Sequence, residues 1–289
     1  MFKNILLKKK IQKHGLGLAL GGGSVRGFFH IGVLHALEEL DIKISYIAGI
    51  SIGSLIGGLY AVGYNSSQIL DILNKQSQFK NLLNMASPTF FNKQGLFSGK
   101  HMILEINQLA NFTLIENLKI PFSCRAVDLR YFKEVIFDSG DLGKAIKTSC
   151  SIPGIFTPED NKESKLLVDG GVLGSVPLAL LQSKFSGPTL ASNLIDYSNI
   201  NSDNAINLNS SFSENIIHKF VPFSDNILRS FYLMQSYITL LEYEKYNPDI
   251  TIEFKETYYP SITNILQIKD QLVLDGYTKT KHKMQEIGF

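Results

Sequence analysis

An uncharged run from Ile44 to Leu70 constrains this chain more than any other stretch, and within it AGISIGSLIGGLYAVGY occupies residues 48–64. About 20 uncharged residues are enough to cross a bilayer, and Gly53 to Gly57 even has the G-x-x-x-G spacing that packs membrane helices. Against a membrane span stand five glycines and two serines between Gly49 and Gly63, and a first third rich in β-favouring residues. The run reads instead as a buried strand, ISYIAGI (44–50), a turn at Ser51, and an apolar helix from near Ile52 to about Val62.

The same grammar precedes it. GLGLAL (15–20) is a short apolar run of the buried-strand kind, GGGSVRG (21–27) is a glycine loop, and in the next segment Phe28, Ile31, Leu34, Leu37 and Leu40 recur at helical spacing. A β-α-β-α opening predicts an α/β fold: a mostly parallel central sheet with helices on both faces. Farther on, FSCRAVDL (122–129) and KEVIFDSG (133–140) predict a hairpin or neighbouring strands, DLGKAIKTS a helix, KLLVDGG a strand ending in a turn, and GPTLASNLID another strand. A helix over about 223–245, a strand TIEF and a last helix after Pro260 close the chain, and the Asn- and Ser-rich residues 193–215 predict a surface loop. Residues 66–112 read as helices around a loop, an insertion or lid in which Leu83, Met85, Phe90, Phe91 and Phe97 line a groove or simply pack.

With 289 residues, 44% hydrophobic and 19% charged, the chain can bury a sizeable core. We expect a basic arm over 1–14 and one domain over 15–289, its part from about 195 supplying the loop, helix, strand and helix that complete it. The first residues lack an apolar segment of signal-peptide length, so a cytoplasmic protein is the working expectation. Only Cys124 and Cys150 are present, which predicts reduced core thiols. The net charge of +2 is uneven: Lys3, Lys8, Lys9, Lys10, Lys13 and Arg26 precede the first acidic residue, Glu38, leaving 22 basic against 26 acidic residues beyond. That arm suits peripheral contact with an anionic membrane, or is a solvated, frayed terminus. With no Trp and no interleaving of basic and aromatic residues, nucleic acid is not an expected partner.

Gly49, Ser51 and Gly53 spell G-x-S-x-G between the predicted strand and helix, the setting of a nucleophile elbow in which flanking glycines make room for a strained serine. The following helix then aims its N-terminus at that serine, favouring negative charge there. The glycine loop has two readings. As a dinucleotide fingerprint it fails, because Arg26 stands where the third glycine belongs. As an acyl-transfer element, the amides of Gly22, Gly23 and Ser24 form an oxyanion hole, and the helix opening near Arg26 adds its dipole. Arg26 itself holds the loop, meets a lipid phosphate, or serves a structural ion pair. The six histidines, among them His30 and His35 inside the first predicted helix, lack a catalytic setting or metal-ligand spacing. Asp169 ends an apolar strand and is followed by Gly170 and Gly171. That is where α/β sheets present functional groups, and equally the pattern of an Asp-Gly turn.

The ordered set LALGGGSVRGFFHIGVL, GISIGS and VDGG resembles the patatin-like phospholipase family from about Gly15 to Pro177; CSIPGIFTPE resembles the segment before the family's aspartate, and the tail from ILRSFYLMQ onward resembles small bacterial members. The resemblance implies a patatin-like three-layer sandwich and a Ser-Asp dyad without histidine. Carried over, Ser51 is the nucleophile and Asp169 the proton acceptor, with Gly21, Gly22, Gly23, Ser24, Arg26 and Gly27 as the oxyanion loop. Gly49 and Gly53 belong to the elbow, and Gly170 and Gly171 to the Asp-Gly-Gly motif. The implied activity is hydrolysis of lipid esters in lipid catabolism, of phospholipase A, lysophospholipase or esterase type, with no metal or organic cofactor. An acyltransferase or thioesterase would use the same residues, and a non-catalytic regulatory or binding protein on this fold is the alternative of another class.

Overall fold

In the computed structural model of the protein, residues 2–75, 95–97, 100–157, 159–160, 166–195, 224–255 and 265–289 are described. The uncharged run resolves as the sequence predicts: strand β2 (Ile44–Gly49), helix α3 (Ile52–Val62) and the start of α4 (Ser66–Lys75). Gly63, at φ 118°, closes α3 through its N–H, which reaches the carbonyls of Leu59 and Tyr60. Among the described residues no helix is long and apolar enough to cross a membrane.

Eight strands of the described residues form one mixed sheet. Strands β1 (Leu16–Leu20), β2, β4 (Phe122–Asp128), β9 (Thr189–Asn193) and β10 (Ile250–Glu253) run parallel in the order β10-β9-β1-β2-β4. β5 (Lys133–Phe137) and β8 (Leu166–Asp169) both pair antiparallel with β4, and β7 (Glu159–Asp160) extends β8. A separate pair, β3 (Gly95–Phe97) with β6 (Gly154–Phe156), lies apart from this sheet. Leu83, Met85, Phe90 and Phe91, expected in a groove or lid, fall outside the described residues, as do the side chain of Phe97 and most of the 193–215 loop.

Strand alternation sorts the core into two layers. Leu16, Leu18 and Leu20 of β1, Ile47 of β2 and Leu190 of β9 face a large cluster shared with α2 (Phe28–Glu39), α3 and α9 (Ile265–Ile287). On the opposite face Ala19, Ala48 and Ala191 meet Leu178, Leu180 and Leu181 of α7 (Leu178–Lys184), with Tyr243 and Tyr246 of α8 (Ser224–Tyr246) packed beside them. The basic arm is ordered here as helix α1 (Phe2–His14), with Leu7 and Ile11 joining the main core beside α9, because these two share one helical face.

Two further helices matter to the site. α5 (Lys100–Leu109) packs on α6 (Leu142–Ser149), whose first turn is capped by Asp141 accepting the Lys144 N–H at 2.7 Å. The far end of α6 delivers Ser149 and Cys150 beneath β2 and α3.

Candidate active site

β2 and β8 meet end to end along one edge of β4. β5 occupies the other edge over Cys124–Asp128, β2 takes the shared edge as far as the pair Gly49–Cys124, and β8 takes it from Leu167–Asp128 down to Asp169–Ala126. The two strands run toward each other, so the residues just past their carboxyl ends converge. Asp169 therefore sits where the two strand ends meet; β8 is antiparallel to β4 and stops two residues short of the end of β2 along it.

Ser51 occupies the turn after β2 with φ 52° and ψ −125°, a left-handed conformation that only a tightly determined turn holds in a non-glycine residue. A Cβ on Gly49 would come within 2.5 Å of Ser54 Cα, and one on Gly53 would collide with the Leu20 carbonyl; both glycines are therefore required by backbone proximity. The Ser51 N–H donates to Ser149 Oγ at 3.0 Å, and Ser149 Oγ donates in turn to the Arg125 carbonyl at 2.7 Å. A Cβ on Gly170 would collide with that same carbonyl. One backbone oxygen of β4 is thus the joint on which both the serine turn and the Asp-Gly-Gly turn rest.

Asp169 is buried, at 5% exposure, and its Oδ1 accepts the Gly171 N–H at 2.7 Å. Burial pushes its carboxyl up to about 6, against smaller opposing pulls from the Gly171 N–H, the Ser51 hydroxyl and the Arg125 guanidinium. The Ser51 hydroxyl thus acts on a carboxyl whose proton affinity has moved toward neutrality. Gln235 of α8 donates to the Gly171 carbonyl at 2.8 Å and fixes the turn from the other side.

In the glycine loop, the expectation that Gly22 donates to an oxyanion is corrected. Its N–H is given to the Ser175 carbonyl at 2.8 Å, as that of Gly21 is to the Ser192 carbonyl at 3.0 Å. Gly22 instead lies against Ser51, since a Cβ there would stand 3.3 Å from Ser51 Cβ. Among the described residues no hydrogen bond takes up the amides of Gly23, Ser24 or Ile52, which flank the serine from the loop and from the first turn of α3. Gly27 backs this arrangement, with no room for a side chain against Ile52. The Arg26 guanidinium lies 6.0 Å from the ring centres of Tyr232 and Phe254, which ties the loop to α8 and to the chain after β10.

Sequence reasoning passed over several residues of the site. Arg125, 2% exposed, bonds Glu242 Oε1 at 3.1 Å and the Gly174 carbonyl at 2.7 Å, holding the chain that follows Asp169. Its signal was a basic residue in the middle of the predicted strand FSCRAVDL, whose other charge, Asp128, stands near the end. Cys150 lies 3.9 Å from Ser54 Oγ; burial raises its thiol pKa, so it stays protonated. Cys124 and Cys150 are both free thiols. His30 is fully buried: Nε2 donates to the Gly21 carbonyl and Nδ1 accepts from Ser192 Oγ, both at 2.8 Å, and burial lowers its pKa to about 4. A neutral histidine thus braces the glycine loop without approaching the chemistry.

Comparison with known proteins places these features in a wider set. The sequence profile described as Patatin-like phospholipase matches residues 18–181. An uncharacterized NTE family protein of Mycobacterium tuberculosis is 33% identical over 179 residues, 62% of this chain and 49% of that protein. A lysophospholipase of Mycosarcoma maydis is 30% identical over 61% of this chain but only 9% of its own length. The chain thus spans about half of the mycobacterial relative, at 49%. Among solved structures, VipD from Legionella pneumophila superposes with a TM-score of 0.53 over 94% of this chain and 67% of that one, at 14% identity, a likeness of fold.

Proposed function

The chain belongs to the patatin-like phospholipase family, and from that premise we propose that it is a serine hydrolase of lipid carboxylic esters working through Ser51 and Asp169. Ser51 Oγ attacks the ester carbonyl while its proton passes to the Asp169 carboxylate. The tetrahedral oxyanion receives the amides of Gly23, Ser24 and Ile52, with the N-terminus of α3 adding its dipole. Collapse expels the alcohol, which takes the proton back from Asp169 and leaves the acyl group on Ser51. Water then attacks the acyl carbon, again passing a proton to Asp169, and the fatty acid departs as Ser51 recovers its proton.

The observation that carries this reading is the buried carboxyl of Asp169, raised to about 6 beside the hydroxyl of a serine held at positive φ. An ordinary surface carboxylate is too weak a base for a serine; one destabilised by burial is better matched to the task. The lipid head group, chain length and position of the scissile ester are read by assay across esters. The same reading sets the protein in peripheral contact with lipid surfaces.

Fluorophosphonate labelling tests the chemistry. Wild-type protein should be labelled at Ser51, Ser51→Ala should take up no label, and Asp169→Asn should be labelled at least about 100-fold more slowly. Wild-type protein that stays unlabelled while correctly folded would falsify the reading.

A further inference from the structure

We propose that the outward face of α1 anchors the protein to an anionic lipid bilayer, with Phe2, Ile5 and Leu6 entering the apolar layer and Lys3, Lys9, Lys10 and Lys13 at the head groups. α1 docks through one face only, Leu7 and Ile11 packing beside α9. That docking also consumes Lys8, whose Nζ donates to the Gly288 carbonyl and lies 5.0 Å over the Phe289 ring, and Asn4, which donates to the Glu286 carbonyl at 2.7 Å. Lys8 therefore drops out of the five lysines expected at a membrane.

On the other side Phe2 is 75% exposed, Ile5 47% and Leu6 45%, and Lys3, Lys9, Lys10 and Lys13 are exposed with them. At about 100° per residue, Phe2, Ile5, Leu6, Lys9 and Lys13 fall in one sector opposite Leu7 and Ile11, with Lys3 and Lys10 along its flank. The helix has no acidic residue. The carboxylate at the neighbouring end of α9, Glu286, is already paired with Lys283 at 2.9 Å and sits 3.3 Å from His282. An acidic protein or a nucleic acid would use the lysines and leave three apolar side chains in water, while an uncharged apolar partner would strand the lysines. An anionic bilayer satisfies both at once.

The position of α1 separates anchoring from chemistry. α1 runs into the amino end of β1, whereas the glycine loop, Ser51 and Asp169 lie at the carboxyl ends of β1 and β2. The inference therefore stands apart from the hydrolase reading, and substitutions on α1 leave turnover of a water-soluble ester unchanged.

The test is co-sedimentation of the full chain, carrying Ser51→Ala so that the vesicles stay intact. Vesicles of phosphatidylcholine alone are compared with vesicles in which it is mixed with phosphatidylglycerol. The protein should favour the mixed vesicles at low salt. Neutralising Lys3, Lys9, Lys10 and Lys13 to Gln should weaken that partition about fivefold per lysine. Phe2→Ser with Ile5→Ser and Leu6→Ser should weaken it on the same vesicles, and Lys8→Gln alone should change it less than Lys9→Gln. Equal partition of the parent and the four-lysine variant, preference for neutral vesicles, or a parent that remains in solution would each overturn the proposal, as would binding to duplex DNA in place of vesicles. Circular dichroism of each variant and hydrolysis of a water-soluble butyrate ester in the Ser51 background report folding. If that ester is not hydrolysed, the enzymatic reading fails while the partition result still stands.

Discussion

Asp169 and His30 are two buried ionisable groups whose burial works in opposite directions on stability. The Asp169 carboxyl is raised from 3.8 to about 6, so its neutral form favours the fold below 3.8 and that stabilisation is lost as pH rises through 6. The His30 imidazole is lowered from 6.5 to about 4, so its neutral form favours the fold above 6.5 and that stabilisation is lost as pH falls through 4. Each shift corresponds to about 3 kcal/mol, and over the window between them the two largely offset. Asp169→Asn should therefore abolish hydrolysis and yet unfold at a higher temperature than wild type near pH 7, an advantage that shrinks as pH falls and is gone below about pH 4. In wild type, kcat/KM should rise with pH through about 6 as the base ionises. A melting curve for Asp169→Asn that tracks wild type at every pH would contradict the buried, destabilised carboxylate. At this scale the strained serine turn was legible in the sequence, since Gly49, Ser51 and Gly53 are neighbours along the chain. The proposed partner, Asp169, lies 118 residues away and was suggested only through the resemblance of VDGG. The loss of Gly22 as a donor was not legible, because whether an amide is free depends on the Ser175 carbonyl reaching it from a distant turn.

Among the elements, α2 and α9 make the closest helix crossing. A Cβ on Gly32 would collide with the Val273 carbonyl, and one on Gly276 with the Phe29 carbonyl, so the two backbones touch with no side chain between them. Gly32→Ala should cost more than about 2 kcal/mol, measured by urea unfolding, because rigid backbone faces the new methyl on the partner helix. Helix propensity alone would make the same change stabilising by up to about 1 kcal/mol, so the sign of the result decides which effect governs. Most element positions were readable from local pattern: the predicted span of α3 matches Ile52–Val62, and β1, β2, β4, β5, β8 and β9 fall within their predicted segments, whereas the short strands β3, β6 and β7 were not predicted. The antiparallel direction of β8 was not readable, since LLVD carries the same residues whichever way it runs. Its place is limited by distant strands, with β5 filling one edge of β4 and β2 taking part of the other.

For the whole molecule, the unexpected feature is that residues treated as a basic arm are part of the folded body. Leu7 and Ile11 belong to the same cluster as Leu16 and Phe28, so the arm contributes to the stability of the sheet-and-helix core. Replacing both by Ala should lower stability by about 3–5 kcal/mol and shift thermal unfolding as a single transition. A separate early transition would mean that α1 melts on its own. The sequence pattern hid this docking because the helix is lysine-rich on its solvent side and exposes Phe2, Ile5 and Leu6 there, which blurs any simple division into polar and apolar faces.

The end-to-end meeting of β2 and β8 on β4 also turns the separation of the proposed nucleophile and base into a residue count. β2 stops at Cys124 and β8 stops at Ala126, and this two-residue spacing on a shared template is the gauge for the pair. A one-residue slip of β8 would carry Asp169 about 3.4 Å along β4 and turn its carboxylate to the opposite face of the sheet. Catalytic competence is thereby quantised: the chain has either counted correctly along this edge or it has no base, with no graded state between.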